Sequence, residues 1–242
     1  MKHDPADPRI ADVVRAGNVR IALFPSFFYR KNPETGELQG VGIELACALA
    51  ARLGVAAALR EYPSPPKAVG ALKAGECDVA FLGLDLDRAT EVDFSPPYMQ
   101  ADFTFLVPAG AAARRIADAD RPGIRVAVVR DHAMDFALRG KLEHAEPVYA
   151  ATPDAAFDLL RTGQADVLAG IRPGLLRYSA GLPGSRVLEE RYGANVFAMA
   201  VAKGQPGWLA CVSGFIEEAR SSGLVQRAVA SAGLCGVQIV PG

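Results

Sequence analysis

Cysteine, histidine and tryptophan are scarce in this 242-residue chain, which has 4 Cys, 3 His and 1 Trp. Cys47, Cys77, Cys211 and Cys235 stand far apart, with no CxxC and no histidine at metal-ligand spacing. That excludes the common zinc and dithiol patterns, and no metal or cofactor is expected. Isolated cysteines of this kind read as buried thiols, with one or two disulfides open to them if the protein is exported. His3, His132 and His144 sit beside no serine or cysteine in a spacing that spells a triad. Net charge is also nearly absent, since 26 Lys+Arg against 27 Asp+Glu give -1 at pH 7. Without a basic face, neither nucleic acid nor an anionic membrane is expected as a partner. No apolar run reaches the ~18–20 residues of a membrane span, so no membrane insertion is expected. Residues 1–11 lack an apolar leader core, which implies a cytoplasmic protein or one whose leader has been removed. The phosphate loop GxxxxGK[ST], the GxSxG elbow, HExxH and the EF-hand loop are all missing. Gly40-Val41-Gly42 is no dinucleotide fingerprint, because it lacks the third glycine and follows a turn-rich stretch instead of a strand. There is no internal repeat and no low-complexity segment.

What is present is an ordinary globular balance of 50% hydrophobic and 22% charged residues, in a length that allows one large domain or two lobes. Short β-branched runs alternate with Ala/Leu-rich amphipathic stretches, which predicts an α/β protein with mostly parallel sheets flanked by helices. Strands are expected at 19–24, 56–62, 79–84, 103–107, 124–129, 167–171 and 197–202. A helix over 42–53 should end at Gly54 in a left-handed cap. Thr152-Pro153-Asp154 reads as an N-cap, a first-turn proline and an acidic first turn for a helix to Arg161. Further helices are expected over 206–222, stopping at Gly223, and over 225–232. The loop-like 109–122 after one apolar run, and Lys203-Gly204-Gln205-Pro206 after another, read as two crossings between lobes. They place one discontinuous lobe at 1–107 plus 204–242 and a second at 108–203.

Three stretches carry a resemblance that spans nearly the whole chain. A strand at 19–24 leads through Pro25-Ser26-Phe27-Phe28-Tyr29 and a polar turn to Gly40-Val41-Gly42-Ile43-Glu44-Leu45, which opens a helix. Ala71-Leu72-Lys73-Ala74-Gly75-Glu76-Cys77-Asp78-Val79 is followed by Arg88, six residues before Phe94-Ser95-Pro96-Pro97-Tyr98, and Gly163-Gln164-Ala165-Asp166-Val167 repeats the helix-to-strand phrase. Together they resemble the family 3 solute-binding proteins, the periplasmic amino-acid-binding components of ABC importers. The resemblance implies a two-lobe periplasmic-binding-protein-like fold with two hinge crossings, closing around a small anionic or zwitterionic ligand. It also implies a periplasmic location, delivery to an ABC permease, and a monomer that is not an enzyme.

Arg88 follows a strand end, where open α/β sheets bind ligands, and its guanidinium can grip a carboxylate through two parallel bonds. The competing reading is a surface salt bridge with Glu91 or Asp93. Phe27, Phe28 and Tyr29 can line a pocket or staple the loop to the core, and Tyr62 ends another strand. Tyr98 reads as packing beside the crossing. Family members usually have Thr or Ser where this chain has Gly83, with Asp85 two residues on. The second-lobe loop, usually Gly-Thr-rich, is Arg130-Asp131-His132-Ala133, with His132 either a ligand contact or a neutral hydrogen-bonding group. Where an aspartate usually meets the α-ammonium group stands Ile171, followed by Arg172. An ammonium buried without a carboxylate is costly, unless Asp85 or Asp131 substitutes. Arginines at 88, 130 and 172 therefore imply an amine-free organic acid ahead of an amino acid. The rival readings are a cyclohexadienyl or arogenate dehydratase-like enzyme, for which Glu44, Asp85, Asp131 and His132 form no recognisable acid-base pair, and a ligand-sensing domain.

Overall fold

A computed structural model describes residues 7–24, 29–32 and 34–241. The chain begins with α1 (Pro8–Ala16), β1 (Asn18–Leu23), β2 (Arg30–Lys31), β3 (Leu38–Gln39), α2 (Val41–Leu53), β4 (Ala56–Glu61), α3 (Pro65–Lys73), β5 (Val79–Gly83), α4 (Leu86–Glu91), β6 (Val92–Phe94) and β7 (Met99–Val107). It continues with β8 (Arg125–Val129), α5 (Ala133–Leu138), β9 (Glu146–Ala150), α6 (Pro153–Arg161), β10 (Val167–Ile171), α7 (Arg172–Ala180), β11 (Arg186–Val187), β12 (Gly193–Ala202), α8 (Pro206–Ser221), α9 (Leu224–Ser231) and β13 (Val237–Ile239). The local chemistry is that expected: Gly54 caps α2 at φ 71, and the Thr152 hydroxyl accepts from Ala155 N to open α6 with Pro153 in its first turn.

The chain divides into two compact units, the first running to Gln100 and resuming over Val196–Leu234 and from Gln238, the second comprising Ala101–Asn195 and Cys235–Val237. The changeovers fall inside β7 and β12, earlier than the expected boundaries at 107 and 203. An apolar run marks where a strand ends, not where its neighbours change. β7 pairs with β10 over Phe103–Leu106, and β12 with β5 over Phe197–Ala200.

Each unit is a sheet with parallel strands and antiparallel additions, flanked by helices. In the first, β4, β1 and β5 are parallel, and β12 joins β5 antiparallel with β6 beyond it. In the second, β9, β8 and β10 are parallel, and β7 joins β10 antiparallel with β11 beyond it. The core of the second unit lies on both faces of its sheet, with Phe103, Phe105 and Val126 in one cluster and Leu106, Ala127 and Leu168 in the other.

The repeated helix-to-strand phrase builds the same clamp twice. Asp78, just before β5, accepts from Arg20 of β1 through backbone N at 2.7 Å, Nε at 3.1 Å and Nη2 at 2.7 Å. Asp166, just before β10, accepts from Arg125 of β8 through backbone N at 2.8 Å, Nε at 3.0 Å and Nη2 at 2.9 Å. The environments differ. The Asp78 side chain is 2% exposed and also pairs with Arg9 of α1, while its backbone oxygen accepts from Trp208 Nε1 at 3.0 Å. The Asp166 side chain is 36% exposed. Among the described residues no helix is long and apolar enough to cross a membrane.

Candidate functional site

Parallel strands of an open α/β sheet present their carboxyl ends to ligands, and most of the expected site residues lie at such ends, unit by unit.

In the first unit Gly83 closes β5 and Asp85 caps α4, its Oδ1 accepting from Arg88 N at 2.8 Å. The Arg88 guanidinium folds back over the strand end, with Nη1 donating to Gly83 O at 2.8 Å and lying 2.9 Å from Asp85 Oδ2. Both contacts run through Nη1, so Nε and Nη2 have no partner among the described residues, and the side chain is 31% exposed. The fork is thus held by one tine. The salt bridge expected to compete, with Glu91 or Asp93, is not the one formed, since Glu91 pairs with Lys73 at 2.5 Å. Tyr29 donates to Glu61 Oε1 at 3.1 Å at the end of β4, and burial together with that carboxylate pushes its phenol up to about 12. The Tyr62 hydroxyl lies 3.0 Å from Cys77 Sγ in the cluster beneath α3, where burial raises its pKa. Phe27 and Phe28 lie outside the described residues. Tyr98 is fully buried, edge-on to Phe81.

In the second unit Arg130 follows β8 and lays its guanidinium 3.9 Å from the Tyr149 ring centroid, a cation–π contact on the surface. Asp131 has φ 58, a left-handed conformation that among the described residues no other non-glycine adopts. It is held there by its own N–H, which donates to Asp135 Oδ2 at 2.8 Å, and by Arg139 Nη2, 2.7 Å from Asp131 Oδ1. Backbone strain of this kind collects at functional loops. His132 is exposed at the N-cap of α5 without a side-chain capping bond. Ile171 closes β10, half-buried against the Phe103 cluster.

Arg172 departs from its expected role. Its Nη1 donates to Leu188 O at 2.9 Å, its Nη2 to Glu189 O at 2.7 Å, and its Nε lies 3.4 Å from Asp102 Oδ2. With its side chain 16% exposed, the cation is engaged within the second unit. Sequence reasoning missed Asp102 and Asp135, both buried. An acid inside the apolar run 99–107 was the available signal for the first. Asp135 has none, because its partner Arg139 is ordinary helix-surface spacing until the fold buries the carboxylate. Among the described residues no group of His, Cys, Asp and Glu is arranged to hold a metal.

Four carboxylates of this unit, Asp118, Asp120, Asp135 and Asp166, are held acidic. Burial pushes Asp135 up, but hydrogen bonds from the Arg139 side chain and the Asp131 N–H outweigh it, and its pKa falls below the usual range. The Arg125 side chain does the same for Asp166. An unfolded aspartate titrates near ~3.9, so the stability these groups add is complete above that pH and is lost as pH falls through their lower folded values. Urea midpoints measured from pH 6 down to pH 3 are expected to drop steeply below about pH 4. Asp135→Asn should flatten that drop, and an unchanged slope in the variant would contradict the assignment.

The family model of the bacterial extracellular solute-binding proteins, family 3, matches residues 20–231. The chain is 27% identical over 208 residues to the ABC transporter glutamine-binding protein GlnH of Bacillus subtilis (strain 168), a match covering 81% of this chain and 73% of that one. Among solved structures, the ancestral amino acid-binding protein AncCDT-1, a precursor of cyclohexadienyl dehydratase, superposes with a TM-score of 0.74 at 24% identity, covering 92% of this chain and 97% of that one. An amino acid ABC transporter substrate-binding protein from Streptococcus pneumoniae Canada MDR_19A, bound to L-arginine, gives 0.75 at 20% identity, covering 94% and 98%. At these identities the structural likeness establishes the fold, that of the two-lobe periplasmic binding proteins.

Proposed function

The chain belongs to the bacterial extracellular solute-binding proteins, family 3, and from that premise we propose that it captures a small carboxylate-bearing solute, with Arg88 as the carboxylate anchor, and hands it to an ABC permease in the periplasm. The supporting observation is the half-used guanidinium: Nη1 is fixed to Gly83 O and Asp85 while Nε and Nη2 have no partner among the described residues. A fork immobilised in this way loses little freedom when it takes a carboxylate bidentately.

The arginine excess that favoured an amine-free acid is smaller than the sequence implied, because Arg172 is engaged with Asp102 and Arg130 lies on Tyr149. An amino acid therefore becomes the first ligand class to test. It also accords with the glutamine-binding relative and the arginine-bound structural neighbour. With Ile171 supplying no charge, Asp85 and Asp131 are the carboxylates left to meet an ammonium.

A thermal-shift screen of amino acids, dicarboxylates and aromatic acids tests the reading. A solute at 100 times its Kd should add about 2.7 kcal/mol, roughly 5–10 °C for a chain of this length. If only amine-free acids raise the midpoint, the assignment of Asp85 and Asp131 to the ammonium falls; if nothing does, the whole reading falls. The dehydratase alternative draws on the AncCDT-1 likeness. Against it, two of the four candidate acid-base groups are engaged by arginines, Asp85 by Arg88 and Asp131 by Arg139. Turnover of prephenate by the same preparation would reverse that judgement.

A further inference from the structure

We infer that Asp135 is a positioning residue for solute selection: it fixes the backbone of Asp131 and leaves that residue's carboxylate with a surplus negative charge, which sets a preference for an amino acid over the same acid without its amine. The inference rests on the proposed function, in which Asp131 is one of two carboxylates left to meet an ammonium. It deepens that reading by adding a residue that acts without touching the solute.

Asp131 lies just past the carboxyl end of β8 with φ 58, a conformation that a residue with a Cβ keeps only where its surroundings impose it. Asp135 supplies the constraint, since the Asp131 N–H donates to its Oδ2 at 2.8 Å. That acceptor is itself fixed. Asp135 is 2% exposed, and α5 is seated by Leu138, buried in the Phe103 cluster, with Met134 and Ala137 packed against the same cluster. The position of the loop after β8 is thus tied to a carboxylate that the core of the second unit holds still.

The charges around it are unequally shared. Arg139 Nη2 donates to Asp135 Oδ2 at 2.6 Å and to Asp131 Oδ1 at 2.7 Å, and its Nε donates to Asp135 Oδ1 at 3.4 Å. The guanidinium also lies 4.7 Å from the Phe136 ring centroid. Two carboxylates therefore share one cation, and one negative charge is left over. A buried carboxylate has no water to fall back on and claims the cation first. The surplus falls to Asp131, whose side chain is 67% exposed and whose Oδ2 has no hydrogen-bond partner among the described residues. The neighbouring cation, Arg130, is laid on the Tyr149 ring. An ammonium brought to Asp131 meets this surplus with attraction, whereas an acid without an amine gains nothing from it.

The measurement is a ratio of Kd values by calorimetric titration. The probes are L-glutamine and L-arginine, each beside its amine-free counterpart, 4-carbamoylbutanoate and 5-guanidinopentanoate. Asp135→Asn is isosteric but removes the charge that claims Arg139, and it is expected to lower the preference for the amine-bearing probe about tenfold, the worth of one charge-assisted hydrogen bond. Asp131→Gly, at a φ that glycine adopts freely, should lower it as far. Combining the two should lower it no further, because Asp135 acts through Asp131. A purely structural role for Asp135 would weaken both members of a pair alike and leave the ratio as in the parent. An unchanged ratio in Asp135→Asn, or a second full loss when it is added to Asp131→Gly, overturns the inference. If Asp135→Asn fails to fold, Asp135→Glu decides: it keeps the charge but moves it by a methylene, its ratio should fall between the parent and Asp131→Gly, and a parental ratio overturns the inference. If neither amino acid binds the parent, the inference falls; if no compound of the thermal-shift screen binds, the proposed function falls with it.

Discussion

Arg88→Ala is expected to abolish the solute-induced rise in melting temperature while leaving the ligand-free protein folded. The magnitude follows from the kind of contact. Truncating one partner of a desolvated, hydrogen-bonded charge pair costs about 2–5 kcal/mol, which is roughly 30-fold to several thousand-fold in Kd. The fold should survive because Arg88 contributes only the contacts to Gly83 O and Asp85 from a partly exposed helix, and Asp85 continues to cap α4 at the backbone. Arg88→Lys separates charge from geometry. It keeps the cation but loses the parallel fork, so its loss of affinity should fall between the parent and the alanine variant. Calorimetric titration with whichever solute gives the largest thermal shift measures all three. Undiminished binding by Arg88→Ala would move the anchor elsewhere and remove the main support for a carboxylate ligand.

The second large effect concerns stability. Asp78→Asn and Asp166→Asn make the same chemical change in the same structural phrase, yet they are expected to differ severalfold. Asp78 is enclosed and meets two arginines, Arg9 and Arg20. Removing its charge leaves two cations without their buried counterion, a change that typically costs 3–5 kcal/mol. That is a large share of the roughly 5–15 kcal/mol by which a domain is stable. Asp166 is about one-third exposed and meets one arginine, itself 40% exposed. Water compensates there, and the loss should be about 1 kcal/mol. Denaturant unfolding of the two variants tests the comparison. Equal losses would mean that burial does not govern the clamp.

The clamps also show how far the fold could be read in advance. The phrase at 71–79 and its echo at 163–167 were visible as letters, because a glycine, an aspartate and a β-branched residue at a helix-to-strand junction are local chemistry. The glycine cap at Gly54 and the Thr152 opening of α6 were legible for the same reason. β9 was not. Its sequence begins Glu146-Pro147, and proline in a strand is tolerated only where a missing donor costs nothing, as at the edge position this strand occupies. α1 opens at Asp7-Pro8, an N-cap and first-turn proline, but it buries only Ile10 and Val13, too few positions for a helical period to stand out. At the candidate site Arg88 could be placed at a strand end from the sequence. The direction of Arg172 could not. It depends on Asp102, which only the antiparallel pairing of β7 with β10 brings near, since pairing across distant segments leaves no mark in the spacing of either.

Trp208 lies on α8, in the segment that rejoins the first unit, and is wholly buried with its indole nitrogen on Asp78 O. During synthesis the second unit, nearly continuous in sequence, emerges complete apart from its short return at 235–237, while the first still lacks α8 and α9. The interrupted unit therefore waits for α8 and α9. As the chain has a single tryptophan, its emission reports the docking of α8 on the first unit.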